Sequence, residues 1–161
     1  MSSRKLEDLY KPLQVVAEKA LQIAKEKELP ITITCTRRSS DEQRALYMQG
    51  REPLEKVNIV RKRLGLYLLS EEENSRKVTW VTSSYHTCSP KAMAFDFAVG
   101  ASGKIFWDIK VDVNHDNIPD YKEFAEICKS LDPNIEWGGD WENTKDFPHI
   151  QWKNGIKISQ V

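Results

Sequence analysis

The sequence predicts an α+β fold, one domain in which a small, mainly antiparallel sheet is packed with helices. Three observations point to it. Amphipathic helical segments are interspersed with short strand-like runs, and the late runs "IEW" (135–137) and "HIQW" (149–152) are spaced like a hairpin. With 40% hydrophobic residues, a chain of 161 residues can build a single buried core.

From about residue 10 to 27, Leu13, Val16, Ala17, Ala20, Leu21 and Ala24 recur at helical spacing on an otherwise charged segment, which predicts a helix laid on the sheet. Pro30 ends it, and "ITITCT" (31–36) sets Ile31, Ile33 and Cys35 against threonines, the pattern of a strand with one buried face. In "RRSSDEQRALYMQGR" (37–51), Ser40 with Gln43 three residues on forms a capping-box start and Gly50 a stop. Pro53 opens another helix to about Leu68; "SEEENSRK" (70–77) reads as a polar turn and "VTWV" as a short strand.

The strand "AMAFDFAV" (92–99) is unusual. Its alternation puts Ala94, Asp96 and Ala98 on one face and Phe95, Phe97 and Val99 on the other, so a carboxylate stands in an otherwise apolar strand. A helix from about Asp120 to Leu131 follows, burying Phe124, Cys128 and Leu131, and the two late strands close the fold.

Composition excludes several classes of function. Lysine plus arginine equals aspartate plus glutamate at 24 each, so no overall basic field argues for nucleic acid. The N-terminal residues lack the apolar run of a signal peptide, and no stretch of about 18 apolar residues suggests a membrane span; the expectation is a soluble protein made in the cytoplasm. Cys35, Cys88 and Cys128 are odd in number and widely spaced, which fits reduced thiols.

An ionised carboxylate in an apolar strand costs several kcal/mol, roughly, unless it is paired or bound to a metal. The three histidines are His86, His115 and His149, and His86 and His149 supply two imidazoles for Asp96. Two histidines and one aspartate make a zinc set with a fourth position left for water, and the net positive charge there lowers the pKa of that water and polarises a carbonyl. Such chemistry needs a general base. In "TKDFPHIQW" (144–152), Pro148 forces a turn that aims Asp146 and His149 at one cavity, which makes Asp146 the candidate. On spacing alone, a structural histidine in a final strand is an equal reading.

"SYH…AMAFDFAV", followed by "WGGDW…DFPHIQW", resembles the zinc peptidases of the D-alanyl-D-alanine carboxypeptidase superfamily, particularly phage endolysins that act as L-alanyl-D-glutamate endopeptidases. That pattern runs S-x-H-x-x-G-x-A-x-D, then W-G-G-x-W, then an acid, two residues and a histidine. Ser84, His86, Ala94 and Asp96 match its start, Trp137, Gly138, Gly139 and Trp141 its middle, and Asp146 and His149 its end. An earlier block is matched by Arg38, Ser39, Gln43, Leu46, Tyr47, Gln49, Gly50 and Arg51. The resemblance implies a fold of the hedgehog and D,D-peptidase kind with a zinc site in a cleft at the sheet. It implies zinc ligation by His86, Asp96 and His149, Asp146 as general base, and Arg38 as the cation for an oxyanion or a substrate carboxylate. Ser84 and Gln43 would contact substrate. Two departures stand out: His86 and Asp96 are ten residues apart where the pattern has seven, and Ala92 replaces its glycine.

"DVNHDNIPDYKE" (112–123) carries a second metal motif. Asp112, Asn114, Asp116, Asp120 and Glu123 fall at positions 1, 3, 5, 9 and 12 of a calcium loop, with the carbonyl of Ile118 at position 7. Asn117 stands in place of the usual glycine and Pro119 follows Ile118. An acidic turn capping the next helix is the alternative.

Taken together, these readings predict a zinc peptidase that cuts the L-alanyl-D-glutamate bond of peptidoglycan stem peptides, a lytic enzyme of phage type. It would be monomeric, without nucleic-acid or membrane partners, without a separate wall-binding domain, and cytoplasmic until released at lysis. A D,D- or L,D-carboxypeptidase trimming terminal D-alanine and a non-catalytic metal-binding module of the same fold are the rivals.

Overall fold

Among the described residues five strands join in one sheet, with 31–35, 94–101, 149–152 and 135–137 side by side in that order, and the strand pairings are antiparallel. The structure is a computed structural model and describes residues 2–101 and 103–160. The strands are β1 (Ile31–Cys35), β2 (Ala94–Ala101), β3 (Lys104–Phe106), β4 (Ile135–Trp137) and β5 (His149–Trp152). The helices are α1 (Lys11–Glu26), α2 (Ser40–Met48), α3 (Leu54–Arg63), α4 (Glu71–Asn74), α5 (Asp120–Leu131) and α6 (Gly155–Ser159). β1 takes one edge of β2, while β5 pairs with Ala94–Asp96 and β3 with Val99–Ala101 of the same strand. The predicted α+β class with a mainly antiparallel sheet is the observed one.

β2 alternates as expected. Phe95, Phe97 and Val99 are fully buried, and Ile150 and Trp152 of β5 extend their face. α1 covers it with Leu13, Val16, Ala17, Ala20 and Ala24, and α5 with Tyr121, Phe124, Ala125 and Cys128. Phe97 packs on Phe124 with ring centroids 4.7 Å apart. Each of these large side chains contributes about 1.5–3 kcal/mol by leaving water. The Tyr121 hydroxyl donates to the Phe106 carbonyl (2.7 Å) and accepts from the Val99 amide (3.3 Å), so the core also pins β3 to β2.

Several local expectations are corrected. The cap of α2 is Ser39, whose side chain accepts from the Glu42 amide at 3.1 Å, one residue before the predicted Ser40. α3 stops at Arg63 because Gly65 turns left-handed (φ +74°) and the Leu66 amide closes on the Arg61 carbonyl at 2.9 Å. Ser70 and Glu73 form a capping box that opens α4 where a polar turn was expected. Residues 78–81 form no strand: Val78, Trp80 and Val81 are all about half exposed, so no face is buried to hold a register. β3 and α6 carry too few residues to show periodicity and were not predicted.

Candidate active site

The face of β2 opposite the phenylalanines presents Asp96, and register places Asp96 directly across from His149 on β5 and from Cys35 on β1. Asp96 Oδ1 lies 3.1 Å from His149 Nδ1 and 3.2 Å from His86 Nε2. His86 comes from a 3-10 turn, Tyr85–Thr87, that Ser84 caps by accepting the His86 amide at 2.9 Å. The lengthened stretch between His86 and Asp96 is taken up by docking on the N-terminal residues. Ala92 bonds Asp8 and Tyr10 through its backbone (2.8 and 2.9 Å), and Lys91 reaches the Glu7 carbonyl (2.7 Å). The extra residues therefore lie outside the contact between His86 and Asp96.

The outer partners of both imidazoles fix which nitrogen is bare. Thr36 offers His86 Nδ1 a carbonyl at 2.9 Å, an acceptor only, so Nδ1 carries the hydrogen. Gln151 Nε2 donates to Glu136 Oε1 at 3.2 Å, which turns Gln151 Oε1 toward His149 Nε2 at 2.9 Å. His149 therefore carries its hydrogen on Nε2, and two bare nitrogens face one carboxylate oxygen. Three acceptors in contact require a cation or added protons between them. Two of the three edges of this set, the 3.1 and 3.2 Å separations from Asp96 to the imidazoles, match the ligand-to-ligand edge of about 3.3 Å expected for a tetrahedral ion with arms of ~2.0 Å. The donor set and its anchoring thus fit a divalent metal of the zinc kind. Protons are the other way to satisfy it: burial lowers the His86 pKa, but the Asp96 carboxylate outweighs burial and raises it to about 10. Burial likewise opposes ionisation of Asp96, yet the two histidines hold its carboxyl far below the usual range.

Asp146 Oδ2 stands 4.0 Å from His149 Nδ1 with its side chain half exposed on the cleft wall. Gly138 makes this position available. The Asp146 amide donates to the Gly138 carbonyl at 3.0 Å, and a Cβ on Gly138 would run into the Asp146 backbone carbonyl and lie 2.9 Å from its Cβ. Gly139 in turn lies against the Trp137 ring. Trp137 Nε1 donates to the Phe147 carbonyl (2.8 Å), and Phe97 of β2 donates to the Pro148 carbonyl (2.9 Å), so the acid and the histidine ride on one braced turn. Partial burial raises the Asp146 pKa, and neighbouring Asp96 adds to the rise against the histidines and Arg38. A base with a raised pKa holds an abstracted proton more firmly.

Arg38 borders the same cleft, which has a volume of about 880 Å³. Its Nη1 donates to Gln43 Oε1 (2.8 Å) and its Nη2 to Cys35 Sγ (3.5 Å), while its buried Nε has no partner. Gln43 is fully buried, and its Nε2 donates to Thr79 Oγ1 and the Val81 carbonyl at 3.1 and 2.9 Å. With its amide engaged this way, Gln43 orients Arg38, and the Ser84 hydroxyl accepts from the His86 amide in the turn; both residues border the cleft. Sequence reasoning did not single out Cys35, Thr36, Gln151 or Glu136. The Cys35 thiol is 3.7 Å from His86 Nδ1, on the same nitrogen that faces Thr36, and it forms a three-residue donor group with His86 and Asp96. Because Nδ1 is committed to Thr36, the bare nitrogens favour His149 over Cys35 as the third donor. Cys88, the thiol closer in sequence, contacts the Ser84 carbonyl.

The D-alanyl-D-alanine carboxypeptidase family pattern matches residues 79–152. Over 145 residues the chain is 35% identical to the peptidoglycan L-alanyl-D-glutamate endopeptidase CwlK of Bacillus subtilis, covering 89% of this chain and 73% of that protein. The chain belongs to the D-alanyl-D-alanine carboxypeptidase family. The crystal structure of the Serratia marcescens L-Ala D-Glu endopeptidase ChiX shares the fold, with a TM-score of 0.57 and 20% identity over 98% of this chain and 92% of that one. In this carboxypeptidase-family chain the matched stretch contains His86, Asp96, Asp146 and His149, while Arg38 and Gln43 lie before it.

The acidic loop of this family member lies apart, ahead of α5. Asp112 accepts from the amides of Asp116 (3.2 Å) and Asn117 (2.8 Å), and Asp116 from that of Ile118 (2.9 Å). Asn117 adopts the left-handed conformation (φ +67°) that glycine takes at this position of a calcium loop. Carboxylate oxygens of Asp112, Asp116 and Asp120 lie within 4.8 Å of one another. Asp120 is fully buried, yet its Oδ1 has no partner, and Asn114 Oδ1 is buried and unpartnered as well. Glu123 is buried beside them and accepts from Asn114 Nδ2 at 3.2 Å. Burial raises the pKa of both Asp120 and Glu123.

Proposed function

We propose that the protein is a zinc-dependent peptidase that hydrolyses peptidoglycan stem peptides at the L-alanyl-D-glutamate bond. The observation that carries this reading is the convergence of two bare imidazole nitrogens and one carboxylate beside the half-exposed Asp146 in an open cleft. The similarity to CwlK, an L-alanyl-D-glutamate endopeptidase, supports the choice of bond. Two nitrogens and a carboxylate are a donor set suited to zinc.

A zinc ion held by His86, Asp96 and His149 would supply Lewis acidity to the scissile carbonyl and to water. Asp146 takes the proton of the attacking water and returns it to the leaving amine. The Arg38 guanidinium, oriented by Gln43, stabilises the charge that develops on the carbonyl oxygen or anchors a substrate carboxylate. Mass spectrometry of purified peptidoglycan after digestion tests the bond cut. New N-terminal D-glutamyl ends are expected; free D-alanine without such ends would assign the protein to the carboxypeptidases instead.

On this reading residues 1–161 form one catalytic domain, acting as a monomer, and the biological role is that of a phage or prophage endolysin held in the cytoplasm until lysis. Among the described residues no helix is long and apolar enough to cross a membrane.

Calcium is proposed for the acidic loop, held by the side chains of Asp112, Asn114, Asp116, Asp120 and Glu123 and by the Ile118 carbonyl. The unpartnered Asp120 and Asn114 oxygens support it, since orphaned buried acceptors are costly without a cation. Calcium is expected to raise the melting temperature of the parent and to leave that of Asp116→Ala unchanged; an equal response in both proteins rules the site out.

A further inference from the structure

Four of the five tryptophans stand at opposite extremes of exposure, which the sequence does not separate, while Trp141 is partly buried at the cleft. Trp137 and Trp152 are core residues at 5% and 6% exposure, whereas Trp80 and Trp107 are 60% and 61% exposed. Both exposed indoles border the cleft that contains His86, Asp96 and His149. Aromatic side chains that line a cleft are typical ligand contacts.

Both are held on backbone that buried side chains fix. Trp80 lies between Thr79 and Val81, the two residues bonded by the Gln43 amide. Trp107 follows Phe106, whose carbonyl accepts from the Tyr121 hydroxyl at 2.7 Å. Preorganised aromatics of this kind lose little freedom on binding. The same cleft is lined by Ser83, Asn143 and Thr144, which offer uncharged hydroxyl and amide groups. Flat apolar faces with neutral hydrogen-bonding groups beside them suit a sugar, whose C–H faces stack on aromatic rings while its hydroxyls seek polar partners.

We propose that Trp80 and Trp107 form a saccharide subsite that takes the muramyl sugar carrying the stem peptide. The inference rests on the peptidase reading above. In peptidoglycan the amino group of the L-alanine is acylated by the lactyl group of that sugar. One residue spans at most about 3.6 Å, so an enzyme that cuts on the carboxyl side of this alanine works within one residue and a lactyl group of the sugar ring. An enzyme that trims the far end of the stem never meets it.

Two soluble substrates test the subsite: a disaccharide stem peptide and the same peptide with its L-alanine N-acetylated and no sugar. The parent is expected to show a kcat/KM at least tenfold higher on the sugar-bearing substrate. Trp80→Ala and Trp107→Ala should each shrink that preference severalfold, mainly through KM. A preference that is absent in the parent, or that survives in both variants, overturns the subsite while leaving the peptidase reading intact. Cleavage of neither substrate by the parent overturns both. Size measurement on the same preparations covers the remaining occupant: a parent dimer that Trp80→Ala converts to monomer makes the aromatic wall a self-association face and removes the sugar from it.

Discussion

Asp146→Asn is expected to lower peptidoglycan hydrolysis by about 10²- to 10⁴-fold, the usual contribution of a positioned general base, while metal content and melting temperature stay at their parental values. The amide keeps the shape of the carboxylate and cannot accept the proton. Nothing else in the turn depends on that charge. The side chain is half exposed, and the bonds that shape the turn, from the Asp146 amide to Gly138 and from the His149 amide to the Asp146 carbonyl, are made by peptide groups. Product release and metal analysis on one preparation separate the two readouts. A variant as fast as the parent would mean that some other group moves the protons.

On the proposed zinc reading, Asp96→Asn is expected to remove the metal as well as the activity. Its carboxylate is the charge on which both bare nitrogens converge, and without it His86 and His149 present two neutral donors with no anionic ligand between them. Losing several kcal/mol of charge stabilisation at the carbonyl corresponds to a fall of about 10³-fold or more in rate, at ~1.4 kcal/mol per decade. Atomic spectroscopy should find the variant depleted of zinc, and excess zinc should not restore hydrolysis. A variant that keeps a full equivalent of metal would transfer the third ligand to a different side chain, with Cys35 the nearest alternative.

How much of this was legible in the sequence depends on the range of the interaction involved. The helices α1 and α5 and the carboxylate face of β2 follow from local periodicity, which is why their bounds match to within a residue or two. The convergence of His86, Asp96 and His149 does not follow from spacing. It depends on the β2–β5 register and on how the chain between His86 and Asp96 is absorbed, both settled by contacts with residues far away in sequence. Gln43 shows the same limit. Its residue type suits substrate binding as well as internal bracing, and only the positions of Thr79 and Val81 distinguish the two. "VTWV" has the alternation and propensity of a strand, but it pairs with no strand of the sheet. The tautomers of the two histidines could not have been read at all, because they are set by the Thr36 carbonyl and by Gln151 through Glu136.

The N-terminal residues have a mechanical role in this arrangement. Ser3 bonds the backbone on both sides, accepting from Thr36 and donating to Arg37, and Asp8 and Tyr10 grip Ala92 in the same manner. Between them they clamp the stretch that leads to Arg38 and the stretch that follows His86, and the Arg38 amide closes the gap by donating to the His86 carbonyl at 2.9 Å. Asp146 and His149 hang from a different part of the chain, braced by β4 and β2. A group fused ahead of Ser3 therefore attaches beside the stretches that carry the guanidinium and the first imidazole, on the side of the cleft away from the turn that carries the base and the last imidazole.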